Sequence, residues 1–530
     1  MEANLVSERA GRPGAILAHV RKLFPEFCLA LVWGALLFYN LGGAPPWWDE
    51  GWTMSVARNV LEHGFYGRLK LGALAPSGLE AAPPVVGMVA LGMRLFGLGL
   101  WQARLLPTLC TAGALAALYL LGRWLYGVGV ARGAMAALLL LVALPNVHPL
   151  LIGRQVLGEM PMLFAVLLGY VALRQAMARS PRWLLVAMPV FALAIRIKVQ
   201  TMPFWALSLL VPLAACLALR RWRAAAVCAA ALGGSYLTLR YALVPIEGLL
   251  LAGRTLPLEP LSGLVEVVAE VTQPSNRIYT LRITLTWLLP FFVGLCLASW
   301  RWVRQARAQA ADADGLTRLA LLAFCGSWWA WYLALSVGAP RYVFPAILIS
   351  SLYLSALLSD LTGGFAWRAA LHDVAALGRT GLRRRNLGAL LALLTLVCYI
   401  PATLLYMRYY YTAGFDSSAE RVANYLNTTT PPNAMIETYE SELHFFLQRP
   451  YHYPPDQLHV ALIRRTSLDE AIPLDYDPLA ANPDYVVIGP FGANNVLYDA
   501  VLQSGKLRRI HHDSLYDVYV PVRGVSVGMP

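Results

Sequence analysis

Two adjacent carboxylates, Asp49 and Glu50, stand where the first long apolar run of the sequence ends. The run FCLALVWGALLFYNL covers residues 27–41, and the polar pair follows it within the segment PPWWDEGWT. Ionised side chains close to lipid cost several kcal/mol unless they are paired or face a polar cavity. A carboxylate in such a cavity can take a proton from a hydroxyl group as a general base, or it can bind a divalent cation. The pair therefore predicts a polar pocket at the membrane surface that carries out chemistry of one of these kinds.

Further ionisable residues recur at the ends of later apolar runs. They are Glu80 in the same loop, Arg154 and Glu159 in the next, Lys198 in a third, Arg254 and Arg277 in a long fourth loop, and Arg341 with Tyr342 before a late run. Because charges at membrane depth must be paired or face a cavity, we predict that these residues converge with Asp49 and Glu50. We expect one hollow at the outer leaflet, with carboxylates on one wall and cations on another.

The elements that must position these residues are membrane-spanning helices. The 530 residues are 58% hydrophobic and only 14% charged, with a mean hydropathy of +0.54, whereas soluble proteins carry about 25% charged residues. The net charge of +13 comes from basic residues in small groups at the ends of apolar runs. This pattern is typical of membrane topology signals and argues against nucleic-acid binding.

The apolar runs predict a polytopic all-α membrane protein with about 11 transmembrane helices. The predicted spans are residues 24–42, 101–122, 131–148, 160–178, 183–197, 201–219, 224–244, 283–302, 317–337, 341–360 and 388–408. With a cytoplasmic N-terminus, every arginine cluster between spans lies on the cytoplasmic side, as the positive-inside rule requires. This agreement needs the short apolar stretch 85–98 to lie along the outer interface instead of crossing. We therefore expect a multi-pass protein of a bacterial inner (plasma) membrane.

The predicted spans divide the chain into three parts. Residues 1–23 form a cytoplasmic N-terminus, residues 24–408 a transmembrane domain, and residues 409–530 a small external or periplasmic α/β domain. The first outer loop, 43–100, contains interfacial helices, and the fourth outer loop covers 245–282. Pro-Pro pairs and short strand-like runs such as YVVIG and YDVYVP mark the C-terminal part. We expect this domain to be a spacer, a cap or an acceptor-docking domain.

Several segments resemble one family of membrane enzymes in order and spacing. They are WWDEGWTMSVARNVLEHGFYG, a Pro-Pro after the loop, GRQVLGEMP and PRYVFPAI, spread over roughly residues 25–360. They resemble the GT-C glycosyltransferases, and more narrowly the bacterial branch related to protein O-mannosyltransferases (glycosyltransferase family 39-type) and to the lipid A aminoarabinose transferase. The resemblance implies an inverting transferase that takes a sugar from a polyprenyl-phosphate carrier in the outer leaflet. Its acceptor approaches from the periplasmic side.

The resemblance implies that Asp49 is the catalytic base. Glu50 would position the acceptor, or bind a divalent cation such as Mg²⁺ or Mn²⁺ together with Glu80 or Glu159. Because the leaving polyprenyl phosphate gains negative charge, it needs fixed cations. The phosphate-binding candidates are Lys198, Arg341, Arg277 and Arg254, and the other cavity candidates are Arg154, Glu159, Glu80 and Tyr342.

Two departures from the family pattern are visible. The aminoarabinose-transferase branch carries a Lys before its Pro-Pro, whereas Ala81 and Ala82 precede Pro83 here. The C-terminal region lacks the WWDYG motif by which oligosaccharyltransferases recognise their acceptor, which argues against N-glycosylation.

Structural explanations and other functions stay open at this stage. Asp49 and Glu50 could cap a helix, since a carboxylate at a helix N-terminus contributes ~0.3–1 kcal/mol. Trp47 and Trp48 fit an interfacial aromatic belt, and Arg154 could pair with Glu159. The chain could instead be a transporter or flippase for a lipid-linked sugar, or a non-catalytic membrane-anchored surface-assembly protein. For a transferase, the acceptor hydroxyl could belong to a glycan, a lipid or a protein.

Overall fold

The computed structural model describes residues 13–76, 81–251, 273–310, 312–380, 383–409 and 416–522. Helices dominate up to residue 409, because an apolar chain in lipid can satisfy its backbone hydrogen bonds internally as a helix. The elements before the fourth outer loop are α1 (Pro13–Phe38), α2 (Trp48–His63), β1 (Leu69–Lys70), β2 (Ala73–Leu74), α3 (Pro83–Phe96), α4 (Leu100–Tyr126), α5 (Val128–Leu140), α6 (Pro149–Ile152), α7 (Glu159–Ala178), α8 (Leu184–Ile197), α9 (Met202–Ala218), α10 (Trp222–Thr238) and α11 (Val244–Leu250).

The second half of the membrane region is also helical. Its elements are α12 (Pro274–Ile283), α13 (Leu289–Arg304), α14 (Ala306–Gln309), α15 (Ala313–Ala334), α16 (Phe344–Leu361), α17 (Trp367–Ala375), α18 (Leu377–Thr380) and α19 (Arg384–Arg408). Single π-helical turns, Leu239–Leu243 and Thr284–Leu288, connect α10 to α11 and α12 to α13.

The polytopic helical fold class is confirmed, and each predicted span overlaps a helix, although the helix within the predicted span 131–148 already ends at Leu140. Seven helical stretches of the described residues are long and apolar enough to cross a membrane: Leu100–Tyr126, Glu159–Ala178, Val199–Ala218, Trp222–Leu250, Pro274–Arg304, Pro340–Leu361 and Arg385–Arg408. The stretch predicted to lie along the interface is α3, a helix of only 14 residues. At 1.5 Å per residue it is shorter than the ~30 Å hydrocarbon core of a bilayer.

The helical bundle is built around α7, which packs against α4 and α8. Its span has 72% of its residues buried, compared with 22% for the peripheral helix α19. Loops at one end of this bundle carry α2, the β1–β2 hairpin and α3, and α2 packs on α3. The first residue of α7 is Glu159, so a carboxylate begins this central helix of the bundle.

A five-stranded sheet organises the C-terminal region. Its elements are α20 (Ser418–Thr429), β3 (Ile436–Thr438), α21 (Ser441–Phe446), β4 (Tyr451–His452), α22 (Asp456–Leu468), β5 (Tyr485–Ile488), α23 (Pro490–Asn494), α24 (Asp499–Gln503), β6 (Leu507–Asp513) and β7 (Tyr516–Pro521). The strand order is β4-β3-β5-β7-β6, parallel from β4 to β5 and antiparallel from β5 to β6. The two strand-like runs noted in the sequence are β5 and β7.

The C-terminal region is docked tightly on α2. Gly51 lies so close to α21 that an added Cβ atom would be 2.2 Å from the Glu442 Cα atom. Farther along α2, Arg58 Nη1 donates to the carbonyls of Phe445 and Leu447 at 2.8 and 2.7 Å. The helix that carries the carboxylate pair is therefore held in place by contacts with the C-terminal region.

We expect Gly51→Ala to loosen this contact, although alanine is normally the better helix former. The backbone of α21 cannot yield as a flexible side chain can, so overpacking should cost about 1–3 kcal/mol. The matched control is Gly87→Ala in α3, where a Cβ atom meets nothing within 4 Å. The apparent unfolding midpoint and the protease sensitivity of the C-terminal region should change for Gly51→Ala alone. Equal behaviour of the two variants would contradict the close approach.

Candidate active site

Asp49 and Arg341 form an ion pair between stretches of chain that are 292 residues apart. Arg341 Nη1 donates to Asp49 Oδ2 at 2.5 Å. Asp49 is the second residue of α2, and Arg341 lies in a 3-10 turn, Pro340–Val343, that leads into α16. The exposed fraction is 35% for the Asp49 side chain and 33% for that of Arg341. Both charged groups are therefore accessible to a ligand.

A second ion pair joins Lys198 Nζ to Glu159 Oε1 at 2.5 Å. Glu159 begins α7, and Lys198 follows the last residue of α8. Lys198 also acts electrostatically on Asp49. Arg341 acts likewise on Glu159. The structure thus brings four of the predicted site residues together, but each carboxylate has its own cation. The expected separation into an acidic wall and a basic wall is wrong.

The Asp49 carboxyl lies in a field that favours its charged form. Burial acts to raise its pKa, but the charge and hydrogen bond of Arg341, with smaller effects of His459 and Lys198, together outweigh burial and hold the pKa below its usual range. Asp49 is therefore ionised at neutral pH, as a general base must be.

Glu50, in contrast, is fully buried and has no free lone pair for a ligand. Its carboxylate binds Arg104 in a bidentate pair at 2.9 and 2.7 Å, and the exposed fraction of Glu50 is 0%. The backbone N–H groups of Val156 and Trp47 each donate to it at 2.8 Å, and the second of these bonds caps α2. A carboxylate accepts about four hydrogen bonds. This geometry contradicts the prediction that Glu50 contacts the acceptor or a metal, and it supports the capping alternative.

Two of the predicted cavity cations bind backbone carbonyls instead. Arg277 donates to Leu333 O at 2.6 Å, at the carboxyl end of α15, where a cation offsets the helix dipole. Arg154 donates to Tyr39 O at 2.6 Å, just past the end of α1, and Glu159 pairs with Lys198. Both arginines thus hold chain ends, and their phosphate or cavity role stays a prediction.

Of the remaining predicted residues, the structure describes Tyr342 alone. The Tyr342 ring lies beside the Arg341 guanidinium, 5.6 Å from its central carbon to the ring centroid. Its backbone carbonyl accepts a 2.6 Å hydrogen bond from the indole of Trp328. Arg254 and Glu80 lie outside the described residues. Tyr342 is therefore a neighbour of Arg341 at the edge of the site.

The C-terminal region places an aromatic cluster next to Asp49. Trp48 Nε1 donates to Tyr439 O at 2.8 Å. The Trp48 indole stacks on His459, with ring centroids 4.7 Å apart and planes at 2°, and it stacks on Phe491 at the same centroid distance. Trp48 is only 7% exposed. The expectation that it belongs to an interfacial belt is wrong, because it anchors the C-terminal region instead.

Comparison with known proteins identifies the fold. The family profile described as "Dolichyl-phosphate-mannose-protein mannosyltransferase" matches residues 81–232. The crystal structure of ArnT from Cupriavidus metallidurans bound to undecaprenyl phosphate is similar with a TM-score of 0.58 at 16% sequence identity, over 96% of this chain and 99% of that chain. The chain has the GT-C fold.

Other GT-C structures agree with this result. ArnT from the same organism in the apo state gives a TM-score of 0.55 at 16% identity, over 95% of this chain and 98% of that chain. The archaeal oligosaccharyltransferase AglB from Archaeoglobus fulgidus gives 0.50 at 13% identity, over 92% of this chain and 73% of that chain. No curated protein matches the sequence significantly. The resemblance to multi-pass GT-C membrane proteins is confirmed.

Sequence reasoning missed two residues that shape this GT-C site. Arg104 lies inside the predicted span 101–122 and is 2% exposed. A buried ion pair of Arg104 could have been predicted, because an arginine in an apolar span must have a partner. His459 gave no such signal, since it lies among ordinary polar residues of the C-terminal region.

The donor set does not fit a divalent cation. The metal candidates predicted from the sequence were Asp49, Glu50 and Glu159, and each of them is bound to a positively charged side chain. Mg²⁺ and Mn²⁺ prefer several convergent oxygen ligands. No group of three metal-binding side chains occurs in the part of the chain that the structure describes. A divalent ion at Asp49, Glu50 or Glu159 would have to compete with the cation that each carboxylate already binds.

Proposed function

We propose that the chain is an inverting glycosyltransferase that moves a sugar from a polyprenyl-phosphate donor to an acceptor hydroxyl at the outer face of the membrane. The observation that carries the proposal is the convergence of the Asp49–Arg341 and Lys198–Glu159 pairs. A solved protein of the same fold is bound to undecaprenyl phosphate, and the matching family profile names dolichyl-phosphate-mannose. Both descriptions support a sugar carrier of the polyprenyl-phosphate class.

The two cations would bind the phosphate of the donor. As the bond between the sugar C1 atom and the phosphate oxygen breaks, its electron pair stays with the phosphate, whose negative charge grows. Fixed cations in a water-poor site stabilise such charge strongly. Arg341 can bind two phosphate oxygens with its planar guanidinium, and Lys198 adds a point charge. Arg341 is the stronger candidate because it also borders the base.

Asp49 would take the proton of the acceptor hydroxyl. The hydroxyl oxygen attacks C1 from the face opposite the phosphate, so a new C1–O bond forms as the old one breaks and the configuration inverts. One base suffices for this single displacement, in contrast to the two carboxylates of glycoside hydrolases. When phosphate recruits Arg341, the Asp49 carboxylate is freed from its ion pair to accept the proton.

The outer face of the membrane follows from the distribution of arginines. If the clusters between spans are cytoplasmic, then Asp49, Arg341 and the C-terminal region share the opposite side. We propose a bacterial plasma membrane with the C-terminal region outside. Cysteines introduced at exposed positions near residues 47 and 470 should then react with an impermeant reagent in intact cells, and one near residue 307 should not.

The proposed function is tested by binding and by product analysis. The purified full chain should bind undecaprenyl phosphate, and Lys198→Met should weaken binding about tenfold or more, because a charge-assisted contact contributes ~1.5–3 kcal/mol. Arg182→Met, at an arginine cluster outside the site, is the control.

Mass spectrometry of envelope glycoconjugates from a deletion strain should show one sugar missing. If labelled lipid-linked sugar crosses vesicles without transfer, the chain is a transporter, and if residues 409–530 alone restore the phenotype, the membrane part is only an anchor.

The pH dependence of transfer should change when Arg341 is replaced. Arg341 keeps the pKa of Asp49 low, so its removal leaves burial to raise that pKa. A base must be deprotonated to act, so activity is lost as pH falls through its pKa. In Arg341→Gln the acid limb of residual transfer should therefore lie at higher pH than in the wild type. The shift should be smaller in Lys198→Gln, since Lys198 acts more weakly on Asp49. Superimposable acid limbs in all three proteins would contradict Asp49 as the base.

A further inference from the structure

His459, from the C-terminal region, is held beside the base by contacts with α2. Its ring is parallel to the indole of Trp48, the residue directly before Asp49, with centroids 4.7 Å apart. Its own helix, α22, is tied to the outer loop by a bidentate pair between Arg68 and Asp456 at 2.9 and 2.6 Å. The titrations of His459 and Asp49 also influence each other electrostatically, so the two groups are near neighbours. The imidazole thus belongs to the same site as the carboxylate, although the two residues are 410 positions apart in the sequence.

The contact with Tyr439 occupies one ring nitrogen of His459 and leaves the other available. Its Nδ1 atom lies 2.6 Å from the hydroxyl oxygen of Tyr439. Burial raises the pKa of that phenol, so the hydroxyl stays protonated and can donate to Nδ1. Burial also lowers the pKa of His459, so the ring is neutral near pH 7. A neutral imidazole that accepts at Nδ1 carries its proton on Nε2. Within the described residues, Nε2–H has no hydrogen-bond partner.

We propose that His459 binds the acceptor through Nε2–H, and that the acceptor is a carbohydrate with a second hydroxyl beside the attacking one. A hydrogen bond donated to the attacking oxygen would withdraw electron density from it and weaken it as a nucleophile, so a donor in the site serves a neighbouring oxygen instead. Asp49 takes the proton of the first hydroxyl, and His459 donates to the oxygen of the second. This inference rests on the proposed transferase function and adds an acceptor class to it. His459 moves no proton in the reaction.

Two substitutions separate hydrogen bonding from stacking. His459→Gln retains an N–H donor near the position of Nε2 but loses the ring. His459→Phe retains the ring that stacks on Trp48 but loses the donor. We expect His459→Phe to lower the cellular glycan product about tenfold, as the loss of one hydrogen bond does, and His459→Gln to stay within about threefold of the wild type. The control is His63→Gln, at an exposed histidine of α2 that stacks on Phe65.

Binding of undecaprenyl phosphate to the purified full chain provides the second readout. Both His459 variants should bind this lipid as the wild type does, because the proposed contact is with the acceptor. The reverse order of the two variants in product formation, or equal loss in both, would overturn the proposal and assign His459 a packing role. If either variant fails to fold, Tyr439→Phe tests the same point, since it removes the hydrogen bond that keeps the proton on Nε2. Unchanged product in Tyr439→Phe then counts against the proposal. A deletion strain with unaltered glycans would instead reject the transferase function itself.

Discussion

Asp49→Asn is expected to lower sugar transfer by about 10³-fold or more while the protein still folds and binds undecaprenyl phosphate. Asparagine has nearly the same shape but cannot accept the proton of the acceptor hydroxyl, and a positioned general base contributes ~10²–10⁴-fold to rate. The Asp49 side chain is 35% exposed and pairs with one cation. Its neutralisation therefore leaves no deeply buried charge without a partner. The loss should appear in the rate of product formation and not in the amount of protein.

The same helix provides the control for this experiment. Glu62, near the end of α2, forms an exposed pair with Arg58 at 2.8 Å, and such pairs contribute ~0–1 kcal/mol. Glu62→Gln should therefore leave transfer, lipid binding and stability near the wild-type values. Active Asp49→Asn protein would exclude Asp49 as the base. Inactive Asp49→Asn protein that also fails to bind undecaprenyl phosphate would indicate a role in donor binding instead.

The helices of this fold could be predicted because hydropathy acts locally. A run such as residues 341–360 must form a helix wherever it crosses the bilayer, since no other backbone partner exists there. The positions of Asp49, Glu159, Lys198 and Arg341 at the ends of such runs could be read from the sequence in the same way. Their meeting in one site follows from the packing of the bundle, which the sequence indicates only indirectly.

The pairing of these charges could not be predicted, because each carboxylate had several possible partners. Arg154 is five residues before Glu159, yet the structure pairs Glu159 with Lys198. The spacing of the apolar runs also did not distinguish Asp49 from Glu50 as the catalytic residue. Successive residues of a helix point about 100° apart, so the Asp49 carboxylate is partly exposed while that of Glu50 faces the interior. The choice depends on Arg104 of α4, which contacts Glu50 only after the bundle has formed.

The role of the C-terminal region was the feature that the sequence predicted least well. Three alternatives were open for it, namely a spacer, a cap and an acceptor-docking domain. The approach of α21 to Gly51 and the stacking of Trp48 on His459 favour the last two. Such contacts depend on close packing between segments almost 400 residues apart, which leaves no local pattern. A region that merely spaced other parts would not need to bury Trp48 next to Asp49.

Glu50→Gln is expected to destabilise the protein by about 3–5 kcal/mol, since removal of one partner leaves the buried Arg104 charge uncompensated. Glutamine also brings an N–H₂ group to a point where Arg104, Val156 and Trp47 all donate hydrogen bonds. The apparent unfolding midpoint in detergent and the yield of monodisperse protein should both fall. Asp49→Asn, one residue earlier, should change neither. Substitution of Asp49 is thus expected to reduce transfer, and substitution of Glu50 to reduce stability.

A double-mutant cycle decides whether this effect comes from the ion pair. Arg104→Leu alone should also destabilise, because Glu50 keeps its charge and the carbonyls of Leu41 and Ala44 lose their donor. In the double variant Glu50→Gln, Arg104→Leu, neither charge remains buried, so the loss of stability should be clearly smaller than the sum of the two single losses. If Glu50→Gln instead keeps the wild-type midpoint and loses transfer, then Glu50 acts in catalysis and the buried pair is not what holds α2. Either result shows whether Glu50 acts in stability or in catalysis, because stability and transfer are measured on the same purified protein.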